Sequence, residues 1–248
     1  MDRTLAKFRR LDPDKIIETV RALYLRIEGR FPGSGLGKVI AELQVVAEET
    51  RSRMIWIQEP NLPLRTGAVV LSVAILALLV SLVINIKRFD MGDFASSAQA
   101  LDASISSVVF VGAAILFLVN WENRIKRSRA HKPIHELRAL AHIVDMHQLT
   151  KDPESALHAS TTGRPAKPAL TPSELSWYLD YCSDAQALIS KIAALYVQGF
   201  QDPVLLDAVD DVEDLTAGFS RKIWQKRTIL ESLAPVLRTA RLARPGEP

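Results

Sequence analysis

The chain contains a single cysteine, Cys182, among its 248 residues. An intramolecular disulfide is therefore impossible, and a cysteine-based zinc cluster is excluded. Alternation of period two is also missing. No run of strand length switches regularly between apolar and polar residues, which argues against a β-sheet and for an all-α fold. Net charge is low, at +3, too little to draw the chain to nucleic acid by electrostatics alone. The opening MDRTLAKFRRLDPDK carries basic residues with no apolar core behind them, so no cleaved signal peptide is expected there.

Charge is absent altogether from two long runs. The first, 66-TGAVVLSVAILALLVSLVINI-86, gives roughly 31 Å of helix, about the thickness of the hydrocarbon core of a bilayer. The second, 105-ISSVVFVGAAILFLVNW-121, gives about 25 Å by the same rise. Helices apolar on every side predict a two-helix transmembrane hairpin within 63–122. Arg51, Arg53 and Arg65 precede the first run, and Arg124, Lys126, Arg127, Arg129 and Lys132 follow the second. The joining loop offers only Lys87 and Arg88 beside Asp90, Asp93 and Asp102. The excess of basic residues outside the loop predicts both termini on the cytoplasmic side of a bacterial inner membrane. Trp56 and Trp121 would then lie at the inner water–lipid boundary as anchors. Ser72 and Asn85 in the first run, with Ser106 and Ser107 in the second, are the small or polar residues that mark helix–helix contact. They are also the residues that would line a pore built from several copies. No ionisable residue lies mid-run, so an ion or proton relay is not expected.

Outside the runs the periodicity is helical. Residues 1–62 hold two helices. Asp12 and Pro13 open the first, which places Ile16, Ile17, Val20, Leu23, Tyr24 and Ile27 on one stripe. The break FPGSG ends it, and Leu36, Val39, Ile40, Leu43, Val46 and Ala47 mark the second. The string 33-GSGLGK-38 lies in that break. It lacks the first glycine and the final Ser or Thr of a phosphate loop, and no strand precedes it. A juxtamembrane helix is expected over 123–150, with Pro133 opening its distal part. The stretch 151–170, rich in Pro, Ser and Thr, reads as a loop. In the C-terminal part, 171–248, Thr171, Pro172 and Glu174 form a capping-box signature, and Asp202-Pro203 opens a further helix. That last helix carries Val204, Leu205, Ala208, Val212, Leu215, Phe219 and Ile223 in phase. Its acidic half (Asp207 to Asp214) precedes its basic half (Arg221 to Arg227), an order that suits the helix dipole and reads as a solvated face. The N-terminal pair and the three later helices are expected to bury their stripes in one cytoplasmic bundle.

One stretch, 135-HELRALAHIVDMHQLTKDPE-154, concentrates histidines and acids. Its first residues resemble a zincin motif, but position 139 is alanine. His135 and His142 share a face yet stand about 10 Å apart along the axis, too far for one ion with bonds near 2 Å. No metal, cofactor or catalytic residue follows, and no enzyme activity is expected. What remains is a polar interaction face of His135, Arg138, His142 and Asp145, opposite Leu137, Leu140, Ala141 and Val144. Within it His142 and Asp145 are placed to hydrogen-bond. This face is expected to meet water or another helix. In a sharper reading it pairs with Asp180 or Asp184 on the 172–200 helix, in a buried network, a pH-sensitive histidine cluster or a metal site assembled across helices.

That stretch, together with 179-LDYCSDAQALISKIAALYVQ-198, 219-FSRKIWQK-226 and the two-span order, resembles a group of bacterial two-transmembrane helical proteins with no assigned activity. In architecture alone the chain is also similar to SLATT proteins, two-span effectors of bacterial defence. The resemblance implies no catalytic residues. The function expected is a membrane-anchored interaction or scaffolding module that associates with itself and binds an unidentified cytoplasmic protein partner. The alternative is an oligomeric channel or pore-forming effector.

Overall fold

The computed structural model describes residues 9–59, 62–86, 94–151, 170–199 and 202–242. These form six helices with no strand among the described residues: α1 (Pro13–Arg30), α2 (Gly35–Gln58), α3 (Leu62–Ile86), α4 (Phe94–Leu149), α5 (Pro172–Gln198) and α6 (Pro203–Leu242). The expected loop 151–170, apart from its two end residues, lies outside the described residues, as does the segment 87–93 with Lys87, Arg88, Asp90 and Asp93.

Local signals set the helix ends. Asp12 caps α1 by accepting from the Asp14 amide at 3.1 Å, with Pro13 at the first helical position. The break after Arg30 turns at Gly33, whose φ of 67° lies in the left-handed region that favours glycine. The Gly33 amide donates to Glu28 Oε1 at 2.8 Å, and the Ser34 hydroxyl accepts from the Gly37 amide at 3.1 Å. The glycine-rich string is thus the cap of α2. At α5 the capping box is complete: Thr171 Oγ1 accepts from the Glu174 amide, and the Glu174 carboxylate accepts from the Thr171 amide. Asp202 accepts from the Leu205 amide at 3.2 Å and opens α6.

The chain divides into two compact units, residues 1–57 with 130–248, and residues 58–129. The first is a helical bundle with one apolar core. Ile16, Val20, Leu23 and Ile27 of α1, and Leu36, Ile40 and Leu43 of α2, meet Leu137 and Val144 of α4 there. Leu179, Ile189 and Ile192 of α5, with Leu205 and Val212 of α6, complete it. Side-chain bonds tie the helices pairwise. Arg53 of α2 bridges Glu49 and Glu136 of α4, each at 2.6 Å. The Thr50 and Tyr196 hydroxyls pair at 3.0 Å between α2 and α5. Gln198 donates to the Leu11 carbonyl and accepts from the Leu11 amide. On α6 the in-phase stripe holds except at Val204, which is 44% exposed, while Val209 is buried in its place.

The second unit holds α3 and the first part of α4. Arg65, just before the first uncharged run, lies 3.4 Å from Glu122, just after the second, so the charged ends of the two runs meet. Lys126 completes the cluster at 2.9 Å from Glu122. Its hydrogen bond, with help from Arg65, holds the Glu122 carboxyl below the usual carboxylate range. Apolar side chains of both helices are open to the surroundings. Val69, Val70, Val73, Leu76 and Val80 are exposed on α3, and Val109, Leu116 and Phe117 on α4, where Phe110 reaches 76%. Among the described residues no helix is long and apolar enough to cross a membrane. Positions 68, 74, 78, 79 and 82–86 of the first run lack described side chains.

Pro133 corrects one expectation. It does not open a helix but sits inside α4, which runs unbroken from Phe94 to Leu149. An interior proline costs about 3 kcal/mol, because it has no N–H to give to the preceding turn. Here Ala130, Ile134 and Leu137 on either side of it are buried in the bundle and hold the helix through. The unit boundary falls between residues 129 and 130, so Pro133 belongs to the bundle.

Candidate interaction face

The polar face of α4 is only partly as its spacing suggests. His135, Arg138 and His142 are exposed, but Asp145 is 9% exposed and belongs to the buried side. The reason is angular: at 100° per residue Asp145 lies 40° from buried Ala141 and 60° from His142. Its carboxylate accepts from Gln148 Nε2 at 2.7 Å instead of meeting His142. The His142 ring packs edge-on against Phe219 of α6, with centroids 5.4 Å apart. Arg138 pairs with Asp211 of α6 at 3.5 Å. The expected partners on α5 are engaged elsewhere, Asp180 by Arg227 at 2.6 Å and Asp184 by Arg26 at 3.3 Å. The face therefore packs beside α6, not α5.

Beneath it lies a buried polar column. Gln186 Nε2 of α5 donates to the Ala141 carbonyl at 2.9 Å, and Lys226 Nζ of α6 donates to the Gln148 carbonyl at 3.1 Å. The Oε1 atoms of Gln148 and Gln186 are buried without a hydrogen-bond partner. Cys182 is fully buried beside this column, and burial pushes its thiol up to about 12. Burial and the raised pKa both disfavour the thiolate that nucleophilic attack and metal ligation need.

His147 faces α2. Its ring fills the space beside Gly35, where a Cβ would collide with Cε1 and where the missing side chain lets the imidazole approach. Burial, then the Lys151 charge, holds its pKa below the ordinary 6.5. Well above 6.5 the ring is neutral whether the chain is folded or not, and it leaves stability unchanged. As pH falls through 6.5 and on through the lower folded value, the unfolded chain takes up the proton first, so stability declines. His147→Gln is expected to flatten the fall in bundle melting temperature from about pH 7 to pH 5. An unaltered slope in the variant would assign the acid sensitivity to other groups.

A second cluster was not foreseen. Arg30 of α1 stacks over the Trp177 ring of α5 at 3.6 Å and donates to the Tyr181 hydroxyl at 3.2 Å. With Arg26, Asp180, Asp184 and Arg227 these residues line an open groove of about 840 Å³. The available signal was Trp177 and Tyr181 one turn apart, with Trp177 off the apolar stripe of Leu175, Leu179 and Cys182. Also on α4, the rings of His131 and His135 meet edge-on with centroids 4.4 Å apart.

Of the remaining expected positions, Trp56 and Trp121 are exposed, the latter 5.5 Å from the Phe117 ring. Ser72 and Ser106 are exposed, while the side chains of Asn85 and Ser107 lie outside the described residues. Among the described residues, no group of three or more His, Cys, Asp or Glu side chains could hold a metal ion. Compared with protein-family models, curated proteins and solved structures, the chain matches none.

Proposed function

We propose that the chain is an integral protein of the bacterial inner membrane, whose cytoplasmic bundle works as an interaction or scaffolding module and associates with further copies of itself. The observation that carries this reading is the exposure of the valines, leucines and phenylalanines of α3 and α4, in a unit whose charged residues Arg65, Glu122 and Lys126 gather at one end. Apolar surface of that extent is unstable in water and belongs against lipid or protein. In sequence the uncharged run 66–86 matches the thickness of a hydrocarbon core, and its basic flanks favour a bundle on the inner side. Two surfaces of the bundle suit a protein partner: the α4 face beside α6, and the groove of Arg30, Trp177 and Tyr181. Arg, Trp and Tyr are the types that interfaces favour, since they bury large area at low entropic cost.

The test uses the inertness of Cys182. Buried and with its thiol raised, it contributes no background in intact cells. Asp93→Cys is expected to react with a membrane-impermeant maleimide added from outside, while Ser52→Cys reacts only after lysis. Labelling of Asp93→Cys only after lysis would remove the hairpin topology.

A further inference from the structure

We infer that His131 and His135 form half of a binding site for a borderline divalent transition-metal ion such as Zn²⁺, and that the same pair from a second copy completes it. The inference deepens the self-association proposed above and rests on it.

The two histidines are four residues apart, so they lie one above the other on α4, about 6 Å along the axis. Their rings already meet, with centroids 4.4 Å apart and planes 66° apart. Imidazole nitrogens on adjacent turns can converge on one ion with bonds near 2 Å, which the separation of His135 from His142 forbids. His135 is exposed and His131 half-buried, so an ion has access from solvent. Imidazole donors suit Zn²⁺, Ni²⁺ and Cu²⁺ better than Mg²⁺ or Ca²⁺.

The pair does not make a closed site within one chain. Tetrahedral Zn²⁺ takes four ligands, and two imidazoles leave two positions open. The nearest carboxylate in sequence, Glu136, is held by Arg53 at 2.6 Å on the α2 side. Of the nearby cations, Arg138 is offset by Asp211, Arg127 and Arg129 each take part in an interaction of their own, and Lys132 is exposed and screened by solvent. A second copy's pair supplies two further imidazoles and no negative charge. Copies confined to one membrane meet at raised effective concentration, which favours a shared ion over two half-filled ones.

The experiment uses full-length protein, purified without a polyhistidine tag and stripped with EDTA, in detergent. Co²⁺ serves as the spectroscopic probe and Zn²⁺ as the calorimetric one. Expected are the intense visible bands of four-coordinate Co²⁺, about one ion per two chains, and a doubling of mass that EDTA reverses. His131→Ala and His135→Ala each abolish the bands and the metal-dependent doubling, whereas His147→Gln, on the α2 side of the same helix, keeps both. None of the three side chains is fully buried, and circular dichroism checks that each variant is folded. Absence of the bands, retention of them in both alanine variants, or one ion per chain with unchanged mass would each overturn the shared site. The EDTA-treated sample reports metal-free association separately, so loss of the metal site and loss of the scaffolding reading remain distinct results.

Discussion

Arginine at both Val73 and Leu76 is expected to remove the chain from the membrane fraction. The two positions are near the middle of the uncharged run, and both side chains are exposed on α3. An arginine at the centre of a span costs roughly 2.5–3.5 kcal/mol on insertion scales, so two cost about 6 kcal/mol and shift partitioning by about four orders of magnitude. The same pair of arginines at surface positions of the bundle, such as Leu25 and Val45, leaves the fraction unchanged, because those positions already face water. Alkaline carbonate washing followed by immunoblotting reads the result. Wild-type protein that stays in the wash supernatant without detergent would sink the membrane reading, and α3 and α4 would then need a protein partner to cover them.

How far the sequence discloses this molecule depends on how local each signal is. The capping box at Thr171, the Asp12 cap and the α1 stripe of Ile16, Val20, Leu23 and Ile27 involve neighbours within a turn or two, and the structure contains them as read. Pro133 was misleading because its local preference, to open a helix, is overridden by burial of Ala130, Ile134 and Leu137. Because α4 continues through Pro133, His131 and His135 belong to one helix and stand one turn apart. Asp145 was misplaced by an angle of tens of degrees, which decides burial at the edge of a stripe but not at its centre. The pairings Arg138–Asp211, Asp180–Arg227 and Arg26–Asp184 join residues 73, 47 and 158 apart in the chain. They depend on how helices are set side by side, which no spacing rule within one helix conveys.

The bundle itself is expected to respond most sharply, and with opposite signs, to two substitutions on α5. Leu179 is fully buried among α1, α4 and α6 side chains of the common core, and Leu179→Ala removes the burial and leaves a cavity, at a cost of about 2–5 kcal/mol. Gln186 is equally buried, but its Oε1 has no hydrogen-bond partner, and its Nε2 bonds the Ala141 carbonyl at 2.9 Å. That carbonyl lies inside α4, where the helix ladder supplies it with an amide donor of its own. Leucine is moderately larger than glutamine and one atom shorter, close enough to occupy the same site. Gln186→Leu therefore removes one orphaned acceptor and one supplementary bond while filling the same space. Leaving a buried acceptor unpaired costs about 1–3 kcal/mol, against about 1 kcal/mol gained by an ordinary hydrogen bond, so the substitution is stabilising. Gln186→Ala loses the bond and opens a cavity, and it destabilises. Thermal unfolding followed through Trp177 and Trp224 fluorescence separates the three: Leu179→Ala lowest, Gln186→Ala below wild type, Gln186→Leu above it. A fall in the melting temperature of Gln186→Leu would mean that the amide's contact with Ala141 sets the register of α4 against α5 and outweighs its unpaired oxygen.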